Sequence, residues 1–436
     1  MRNALVAVAA LAACSSPSRE VYISVGSDAV ATAQGVAGAP LAAIASGDHT
    51  VLAFPEHELE ALSHAMHEEH GRCGGFMVHD SLAEALAPAA PAIAPDYTLD
   101  RGAAVRDVLP AIDANRIAAT IGELSAMQNR YYQSDTGASA STWLRDRWRS
   151  FTPRSDVTIE LVDHGYAQKS VILTIPGSTK RDEVVVIGGH LDSIALGGKR
   201  ARAPGADDDA SGIATLTETL RALLANGVRP ERTLKFMAYA AEEVGLRGSL
   251  AIAKDFKKKG INVVGALQLD MTNYQGSDKD IWIIQDHTSA AQNAFLVQLI
   301  EAYVRASYGF DVCGYACSDH AAWNRHGYPA SMPFESRSKD MNKKIHTRED
   351  TLETSGNNAA HAVKFARLAA AFALELGKGD LLAPRTAGVG PTMVETSLAA
   401  AGPTDVACTG GLPWRQIALG LAMAATAIAL SRRYAR

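Results

Sequence analysis

The sequence lacks the features that mark several large classes of protein. Its 436 residues carry a net charge of −5, so it has no excess of basic residues such as nucleic-acid-binding proteins use, and we expect no nucleic-acid partner. No internal repeat is visible, and the apolar runs near the two ends are short for a bilayer span. Hydrophobic residues still make up 47%, which is ample for a core and predicts a globular protein.

Cysteine is scarce as well. Five cysteines without a CxxC pair argue against a thiolate metal cluster and fit an exported protein better. Cys313 and Cys317 stand four residues apart in DVCGYACSDH, and we expect a short disulfide between them. Cys73 and Cys408 have no evident partner.

The beginning of the chain resembles an export signal. Residues 4–13 form a short apolar run that is typical of a signal-peptide core, so residues 1–14 are expected to be a signal peptide. The run closes with LAAC, which resembles the lipobox of bacterial lipoproteins with Cys14 as the acylated residue. A plain signal peptide with a chance cysteine is the alternative.

The other end resembles a bacterial sorting signal of the Gly-Gly type. A glycine pair at 410–411 precedes the apolar run 417–430, and three arginines follow it. The positive-inside rule would leave the arginines in the cytoplasm and the bulk of the protein outside. Residues 410–436 are therefore expected to be a transient sorting signal or, alternatively, a stable membrane anchor. The predicted location is secreted, at the cell surface or at the outer membrane of a bacterium.

Composition divides the rest of the chain. Residues 15–100 are moderately polar and close with an Ala/Pro stretch at 86–97 that is typical of an extended linker. Residues 101–380 are expected to form the main domain. Residues 381–409 are rich in Gly, Pro, Ala and Thr, which predicts a flexible tether.

Strands and helices alternate in the main domain. The β-branched runs 170–177 and 183–190 have the pattern of buried strands, and 212–226 has apolar residues at helical spacing behind capping Asp and Ser residues. The other predicted elements are strands at 233–241 and 263–271 and a helix at 245–260. This alternation predicts a layered α/β domain, whose chemistry is expected at the carboxyl ends of its strands.

Five acidic or imidazole side chains lie at or just after the ends of three of these predicted strands. They are His190, Asp192, Glu242, Glu243 and Asp270. A buried charge must be paired or bound to metal, so this clustering favours a metal site. Imidazole and carboxylate ligands without thiolates suit Zn²⁺, with Mn²⁺ or Co²⁺ as substitutes, and the excess of carboxylates suggests two ions that share a bridging Asp. One of the adjacent glutamates can bind metal while its neighbour acts as a general base.

Six motifs, in order, resemble those of the bacterial leucyl aminopeptidases, which are secreted exopeptidases with two co-catalytic zinc ions. The motifs are GGHLDS, APGADDDASG, AYAAEEVGLRGS, LQLDMTN, CSDHAAW and MPFES…IHTREDTL, and the similarity covers residues 105–378. The resemblance implies one catalytic domain, a three-layer α/β/α sandwich around a mixed, largely parallel sheet. It also implies two Zn²⁺ per chain and no organic cofactor.

The resemblance carries over metal ligands residue by residue. The implied ligands are His190 and Asp270 for one ion, Glu243 and His346 for the other, and Asp208 as the bridge between them. Asp207 and Asp209 flank the bridge and are expected to cap a helix or accept hydrogen bonds, with direct binding of metal as the alternative. His320 is expected to be structural.

The resemblance also implies catalytic roles. Glu242 would be the general base that acts on the metal-bound water. Asp192 would accept a hydrogen bond from His190 and fix its tautomer. Tyr315 would donate to the oxyanion that forms at the peptide carbonyl. The alternative for Tyr315 is a packed aromatic side chain next to the disulfide.

The expected substrate pocket departs from the family pattern at two positions. Its residues are Phe334, Ser338, Met341, Ile345 and Met271. Phe334 and Ile345 match the pattern, whereas Ser338 and Met341 stand where aromatic residues are usual. Because methionine is flexible and serine leaves space, we expect a broader apolar pocket than one strict for leucine.

The N-terminal segment contains a histidine cluster, SHAMHEEHGRCGGF. His64, His67 and His70 are three residues apart on one side of a predicted helix. Similar exported peptidases carry a propeptide that assists folding and masks the site, so we interpret 15–100 as such a segment and expect the cluster to touch the active site. A separate metal site is the alternative.

The predicted function is removal of the N-terminal, preferentially apolar, residue from peptides or proteins by a monomer. Transient or stable membrane association is expected through the C-terminal helix. Alternatives on the same fold are a dipeptidase, a carboxypeptidase and a glutaminyl cyclase. A non-catalytic binding ectodomain is a further alternative, but such domains commonly lose ligands or the base, and here all are present.

Overall fold

The computed structural model of the protein describes residues 19–47 and 49–381. The predicted signal peptide, nearly all of the tether, and the C-terminal sorting signal or anchor lie outside these residues, as do Cys14 and Cys408. No helix in the described part of the chain is long and apolar enough to cross a membrane.

The strands of the described residues alternate with helices along the chain. The strands are β1 (Glu20–Gly26), β2 (Ala43–Ser46), β3 (His49–Pro55), β4 (Phe76–His79), β5 (Thr158–Val162), β6 (Ser170–Ile175), β7 (Lys180–His190), β8 (Val228–Pro230), β9 (Arg232–Tyr239), β10 (Asn262–Gln268), β11 (Ile281–Ile284), β12 (Tyr308–Asp311), β13 (Ala330–Ser331), β14 (Pro333–Phe334) and β15 (Gly379–Leu381).

The helices include two longer ones that flank the central sheet, α7 and α11. The helices are α1 (Val30–Ala37), α2 (Leu59–His70), α3 (Leu82–Leu86), α4 (Gly102–Val108), α5 (Ala114–Ser125), α6 (Asp135–Arg149), α7 (Ala210–Ala225), α8 (Arg247–Lys258), α9 (Ala290–Leu299), α10 (His320–Arg325) and α11 (Ala362–Gly377). Short 3₁₀ helices occupy Ser27–Ala29, Glu56–Glu58, Leu109–Ala111, Gly198–Arg200, Ser338–Asp340 and Leu352–Ser355, and a π-helical turn occupies Ile300–Val304.

The central sheet has six strands in the order β13-β10-β7-β9-β6-β5. The first four are parallel to one another, and β6 and β5 run antiparallel to their neighbours. The predicted mixed, largely parallel sheet is confirmed. The sequence pattern located four of its six strands, β6, β7, β9 and β10, because a strand buried on both faces must be apolar along its whole length; it missed the edge strands β5 and β13.

Helices cover both faces of this sheet. Val185 and Ile187 of β7 pack on one side with α5, α6, α7 and α11. Val184 and Val186 pack on the other side with α8 and with Trp323 of α10. Successive residues of a strand point to opposite faces, so β7 contributes to two separate cores. The predicted three-layer α/β/α arrangement is thereby confirmed.

The N-terminal segment forms a small sheet of its own in the order β2-β3-β1-β4, which is antiparallel throughout. Its apolar core is continuous with residues of the main domain, among them Tyr131, Ile194, Ala241 and Val244. The backbone N–H of Val78 in β4 also donates to the carbonyl of Gly245 at 3.1 Å. The segment therefore packs directly on the loop that contains Glu242 and Glu243.

The chain between this segment and the main domain has no helix or strand from residue 87 to residue 101, all of which the structure describes. Ile93 in the middle of this linker is 87% exposed. Tyr97 near its end stacks on Phe295 with ring centroids 4.8 Å apart. The linker thus crosses the surface and is fixed at its C-terminal end.

Candidate metal centre

The candidate ligands lie at the carboxyl edge of the central sheet. His190 is the last residue of β7, Glu243 lies in the loop after β9, and Asp270 lies just after β10. These strands are parallel neighbours, so their ends meet at one edge. Asp208 comes from the loop before α7, and His346 comes from the loop after β14. All five side chains are buried.

Asp208 lies between two pairs of ligands. His190 Nε2 is 2.9 Å from Asp208 Oδ1 and 3.5 Å from Asp270 Oδ1. His346 Nε2 is 3.3 Å from Asp208 Oδ2 and 2.8 Å from Glu243 Oε2. The two oxygens of one carboxylate therefore face two different histidines, which is the arrangement that a bridging ligand requires.

Two groups of side chains have donor atoms close enough together to hold a metal ion. Within the described residues they are Cys73, Asp208, Glu243 and His346 in one group, and His190, Asp209 and Asp270 in the other. A tetrahedral Zn²⁺ with its usual bonds to nitrogen and oxygen would separate these atoms by about 3.3–3.5 Å. The separations of 3.3 and 3.5 Å agree with that value, and the two others are about half an ångström shorter.

Unpaired donor atoms support a metal at this place. Several buried atoms of the site lack a hydrogen-bond partner in the described chain: His190 Nδ1 and Nε2, Asp208 Oδ1, Glu242 Oε2, Glu243 Oε1, Asp270 Oδ1 and His346 Nδ1. Buried polar atoms are normally satisfied, so a group of unsatisfied ones at one point indicates a ligand. Their identity, imidazole nitrogen and carboxylate oxygen, suits Zn²⁺.

The charge of the site also fits cations. Ten buried carboxyl side chains lie at or next to the site: Asp192, Asp207, Asp208, Asp209, Glu242, Glu243, Asp270, Asp319, Glu335 and Asp350. The buried cationic or imidazole groups among them are His190, His346 and Arg130. Such an excess of buried negative charge is costly unless cations balance it.

The pKa values of the ligands reflect the same crowding. Burial raises the pKa of Glu243 to about 7, and the nearby carboxylate of Asp208 adds to the effect. Burial alone would lower the pKa of His346, but Glu243 and Asp208 raise it to about 10. Metal ligands must give up these protons, so a divalent cation would take the place of the protons here.

Asp192 connects both halves of the site. Its two oxygens accept hydrogen bonds from the backbone N–H groups of Glu242 and Glu243, at 3.0 and 3.2 Å. Its Oδ1 also lies 3.5 Å from Nδ1 of His190. One carboxylate thus holds the backbone of the predicted base and of a predicted metal ligand, and it lies beside the ring of His190.

Asp209 caps α7, as predicted, and also accepts hydrogen bonds from two other parts of the site. Its Oδ1 accepts from the N–H groups of Gly212 and Met271 at 2.8 and 3.1 Å, and its Oδ2 accepts from the N–H of His190 at 3.0 Å. A Cβ at Gly212 would collide with this carboxylate, which explains the glycine in ADDDASG. Asp209 therefore ties together the ends of β7 and β10 and the start of α7.

Three residues of the site have left-handed backbone conformations. Ala241, Met271 and His346 have φ of 59°, 55° and 57°. Ala241 precedes the glutamate pair, Met271 follows Asp270, and His346 is itself a candidate ligand. Non-glycine residues adopt this conformation at a cost that the surrounding structure must offset, and such residues cluster at functional sites.

Several supporting residues were missed at the level of sequence. Asp350 accepts hydrogen bonds from the N–H groups of Asp207 and Asp208, at 3.1–3.2 Å. The hydroxyl of Ser318 donates to Asp270 Oδ2 at 2.5 Å. Both residues lie inside motifs that the resemblance matched, so their position next to a ligand motif was a usable signal.

Arg130 was also missed, and its sequence context offers no signal. It is fully buried, and its guanidinium donates to the carbonyls of Leu191, Pro204 and Gly205. These carbonyls belong to the chain between His190 and Asp208. Arg130 therefore holds the loop that leads from one ligand to the next.

The predicted pocket residues gather next to the site. Met271, Phe334, Ser338 and Met341 line one cavity, and Ile345 packs in the same apolar cluster. The disulfide between Cys313 and Cys317 and the ring of Tyr315 also line it. The open space is about 20 Å³, which holds about one water molecule and no amino-acid side chain.

Tyr315 contacts the N-terminal segment. Its hydroxyl accepts a hydrogen bond from the backbone N–H of Cys73 at 3.1 Å, and the guanidinium of Arg72 lies 5.0 Å from the centre of its ring. Tyr315 also packs in the pocket cluster beside the disulfide. Its role as an oxyanion donor stays a prediction.

The histidine cluster touches the site, as expected, through two of its members. The rings of His67 and His64 lie 4.9 and 6.5 Å from the ring of His346. His70 instead contacts Thr32 of α1, with Nε2 2.9 Å from the hydroxyl. None of the three is in a candidate metal group of the described residues.

His320 lies outside this centre. Its Nε2 contacts the carbonyl of Asp286 at 3.2 Å, and the residue begins α10, in line with the expected structural role.

Comparisons with known proteins agree with this geometry. Residues 170–372 match the profile of peptidase family M28. Leucine aminopeptidase 1 of the fungus Penicillium rubens is 37% identical over 290 residues, which is 62% of this chain and 74% of the relative.

Two solved structures from Legionella pneumophila have the same fold. The LapA aminopeptidase is 27% identical with a TM-score of 0.72, and the match covers 82% of this chain and 98% of LapA. LapB is 30% identical with a TM-score of 0.72, and the match covers 82% of this chain and all of LapB.

Proposed function

The chain belongs to peptidase family M28 and is a peptide-bond hydrolase, and we propose that it is an aminopeptidase that uses two zinc ions to remove an apolar N-terminal residue from peptides. The observation that carries the proposal is Asp208, whose two oxygens face two histidine and carboxylate pairs. Relatives and structural neighbours that are aminopeptidases by name support the same reaction.

The residues divide the chemistry between them. The chemistry supplied by bound ions is polarisation of the scissile carbonyl and a lowered pKa of water. Glu242 takes the proton of the attacking water and passes it to the leaving amine. Its Oε2 is buried and has no hydrogen-bond partner in the described chain, so it is available for that proton. Asp192 keeps this glutamate in place through the backbone N–H of Glu242.

The substrate side chain would enter the pocket beside Asp270. Met271, Phe334 and Met341 give it an apolar wall, and Ser338 takes a position where a larger residue would narrow it. We therefore propose a broad preference for apolar residues. Comparison of kcat/KM for the p-nitroanilides of Leu, Phe and Met tests this, and a sharp preference for Leu would contradict it.

Product analysis separates this reaction from others of the same fold. The free peptide Leu-Phe-Ala-Ala and its N-acetylated form are each incubated with the protein, and the products are identified by mass. We expect free Leu from the first peptide and no cleavage of the second. Release of the C-terminal residue would indicate a carboxypeptidase.

We also propose that the protein is exported by a bacterium, by the signals expected at residues 1–14 and 410–436. The disulfide between Cys313 and Cys317 supports an oxidising compartment. The intact mass of the mature protein tests export, lipidation of Cys14 and both cleavage events at once. Gel filtration of the same sample tests whether it is a monomer.

A further inference from the structure

Cys73 reaches the candidate metal centre from outside the main domain. It lies in the turn between α2 and β4 of the N-terminal segment, and it is buried. Its Sγ lies 3.3 Å from Asp208 Oδ2, 3.8 Å from Glu243 Oε2 and 3.6 Å from His346 Nε2. These three atoms are the ligands proposed for one ion.

We propose that Cys73 is the fourth protein ligand of this ion, and that its thiolate closes the metal site while the N-terminal segment is in place. The inference rests on the proposed function, because it needs the metal centre. It adds a ligand, and a latent state of the enzyme, that the mixed imidazole and carboxylate set does not imply.

The distances fit a tetrahedron. With usual bond lengths of about 2.3 Å to sulfur and 2.0–2.2 Å to nitrogen or oxygen, a tetrahedral Zn²⁺ separates sulfur from the other ligands by about 3.5–3.7 Å. The three separations in the structure are 3.3, 3.6 and 3.8 Å, which lie around that value. One ion can therefore contact Asp208, Glu243, His346 and Cys73 together.

The fourth ligand changes what the ion can do. Catalytic zinc sites keep one position open for water or substrate, whereas sites with four protein ligands are closed and structural. Cys73 also lines the pocket in which about 20 Å³ remain. The same side chain thus fills the open coordination position and forms part of the pocket wall.

The turn that carries Cys73 is firmly held. Gly71 ends α2 in a left-handed conformation, and Gly74 and Gly75 also have positive φ, so the chain can turn sharply on both sides of the cysteine. The side chain of Arg72 pairs with Asp28 at 2.5 Å. The N–H of Cys73 donates to Tyr315. These contacts fix the thiol at the centre.

The thiolate of Cys73 can leave the ion only when the N-terminal segment moves away from the site. The bond between Cys73 Sγ and the ion breaks, the thiolate takes a proton from solvent, and water binds in its place. No oxidant or reductant is needed.

Cobalt spectroscopy tests the proposal on the intact chain. The protein is loaded with Co²⁺ in place of zinc, and thiolate-to-cobalt charge-transfer absorption is measured in the near ultraviolet. We expect the band in the unchanged protein and its loss in both Cys73→Ala and Cys73→Ser, with cobalt still bound at the remaining ligands. X-ray absorption of the zinc form should show one zinc–sulfur distance of about 2.3 Å.

The other cysteines provide the matched control. The double variant Cys14→Ser, Cys408→Ser should keep the band, because Cys313 and Cys317 are bonded to each other and Cys73 is the remaining thiol. A chain that binds two cobalt ions without a thiolate band overturns this inference and leaves the proposed function standing. A chain that binds no cobalt overturns both.

Discussion

The Sγ atom of Cys73 lies 3.3 Å from Oδ2 of Asp208, although 135 residues separate the two in the sequence. This contact joins the N-terminal segment to the carboxylate at the middle of the candidate metal centre. In this structure the N-terminal segment therefore lies against the candidate metal centre.

Cutting the linker after folding should activate the protein. A specific protease site inserted at Ile93, which is 87% exposed, can be cleaved without touching the fold. Because Cys73 of the segment takes the open coordination position of the proposed ion and lines the pocket, we expect kcat/KM for a Leu p-nitroanilide to rise by more than about tenfold once the segment is cut and removed, a change that corresponds to about 1.4 kcal/mol. The control is the same insertion left uncut. Equal activity before and after removal would show that the segment does not mask the site.

The adjacent glutamates should separate catalysis from metal binding. Glu242→Gln removes the base, so we expect kcat to fall by about 10²–10⁴-fold while the metal content stays the same. Glu243→Gln removes a ligand, so we expect loss of metal from one site as well as of activity. Metal content and kcat are measured for both variants after the linker has been cut and the N-terminal segment removed. Loss of metal in both, or in neither, would contradict the assigned roles.

Asp350 should support the metal centre without touching the metal. It holds the N–H groups of Asp207 and Asp208, so Asp350→Asn is expected to lower metal affinity by about 10–100-fold. The neighbouring exposed residue provides the control Glu349→Gln, which should change nothing. Competition with a chelator measures the affinity. Equal metal affinities for the two variants would show that Asp350 does not support the metal centre.

Acid should destabilise the N-terminal sheet through His79 of β4. This side chain is buried and lies 2.9 Å from the hydroxyl of Ser24. Burial lowers its pKa to about 3, and the nearby cation of Arg325 acts in the same direction. The ionisable groups around it are Arg325, His49, His326 and Asp80.

The direction of the pH effect on stability follows from the protonation of His79 in the unfolded and folded chains. The unfolded chain binds a proton at His79 near pH 6.5, whereas the folded chain resists it down to about pH 3. Stability should therefore fall as the pH drops from 6.5 towards 3, by up to about 1.4 kcal/mol per pH unit. In denaturant unfolding, His79→Gln should lose this part of the pH slope. The exposed residue His57 gives the control His57→Gln, and equal slopes in both variants would contradict the assignment.

The hydrophobic pattern of the sequence predicted most of the strands and helices next to the candidate metal centre. The strand expected at 183–190 is β7, and the helix expected at 212–226 is α7, each with ends within three residues of the prediction. Such elements can be predicted because burial on both faces of a strand, or on one side of a helix, leaves a periodic trace in the sequence itself. Among the candidate ligands, His190 is the last residue of β7 and Asp208 lies two residues before α7, and both belong to motifs that the sequence shows.

The positions of Cys73 and Arg130 depend on contacts between distant parts of the chain, which the sequence pattern does not reveal. Cys73 had no evident partner in the sequence, because its neighbours Asp208, Glu243 and His346 lie 135 to 273 residues further on. Arg130 likewise bonds to backbone carbonyls, which every residue has and no motif marks. The sequence by itself determined the layered fold and the set of candidate ligand residues. Only the packing of the N-terminal sheet against the main domain decided that a thiol lies next to those candidate ligands, since that contact depends on the whole tertiary structure.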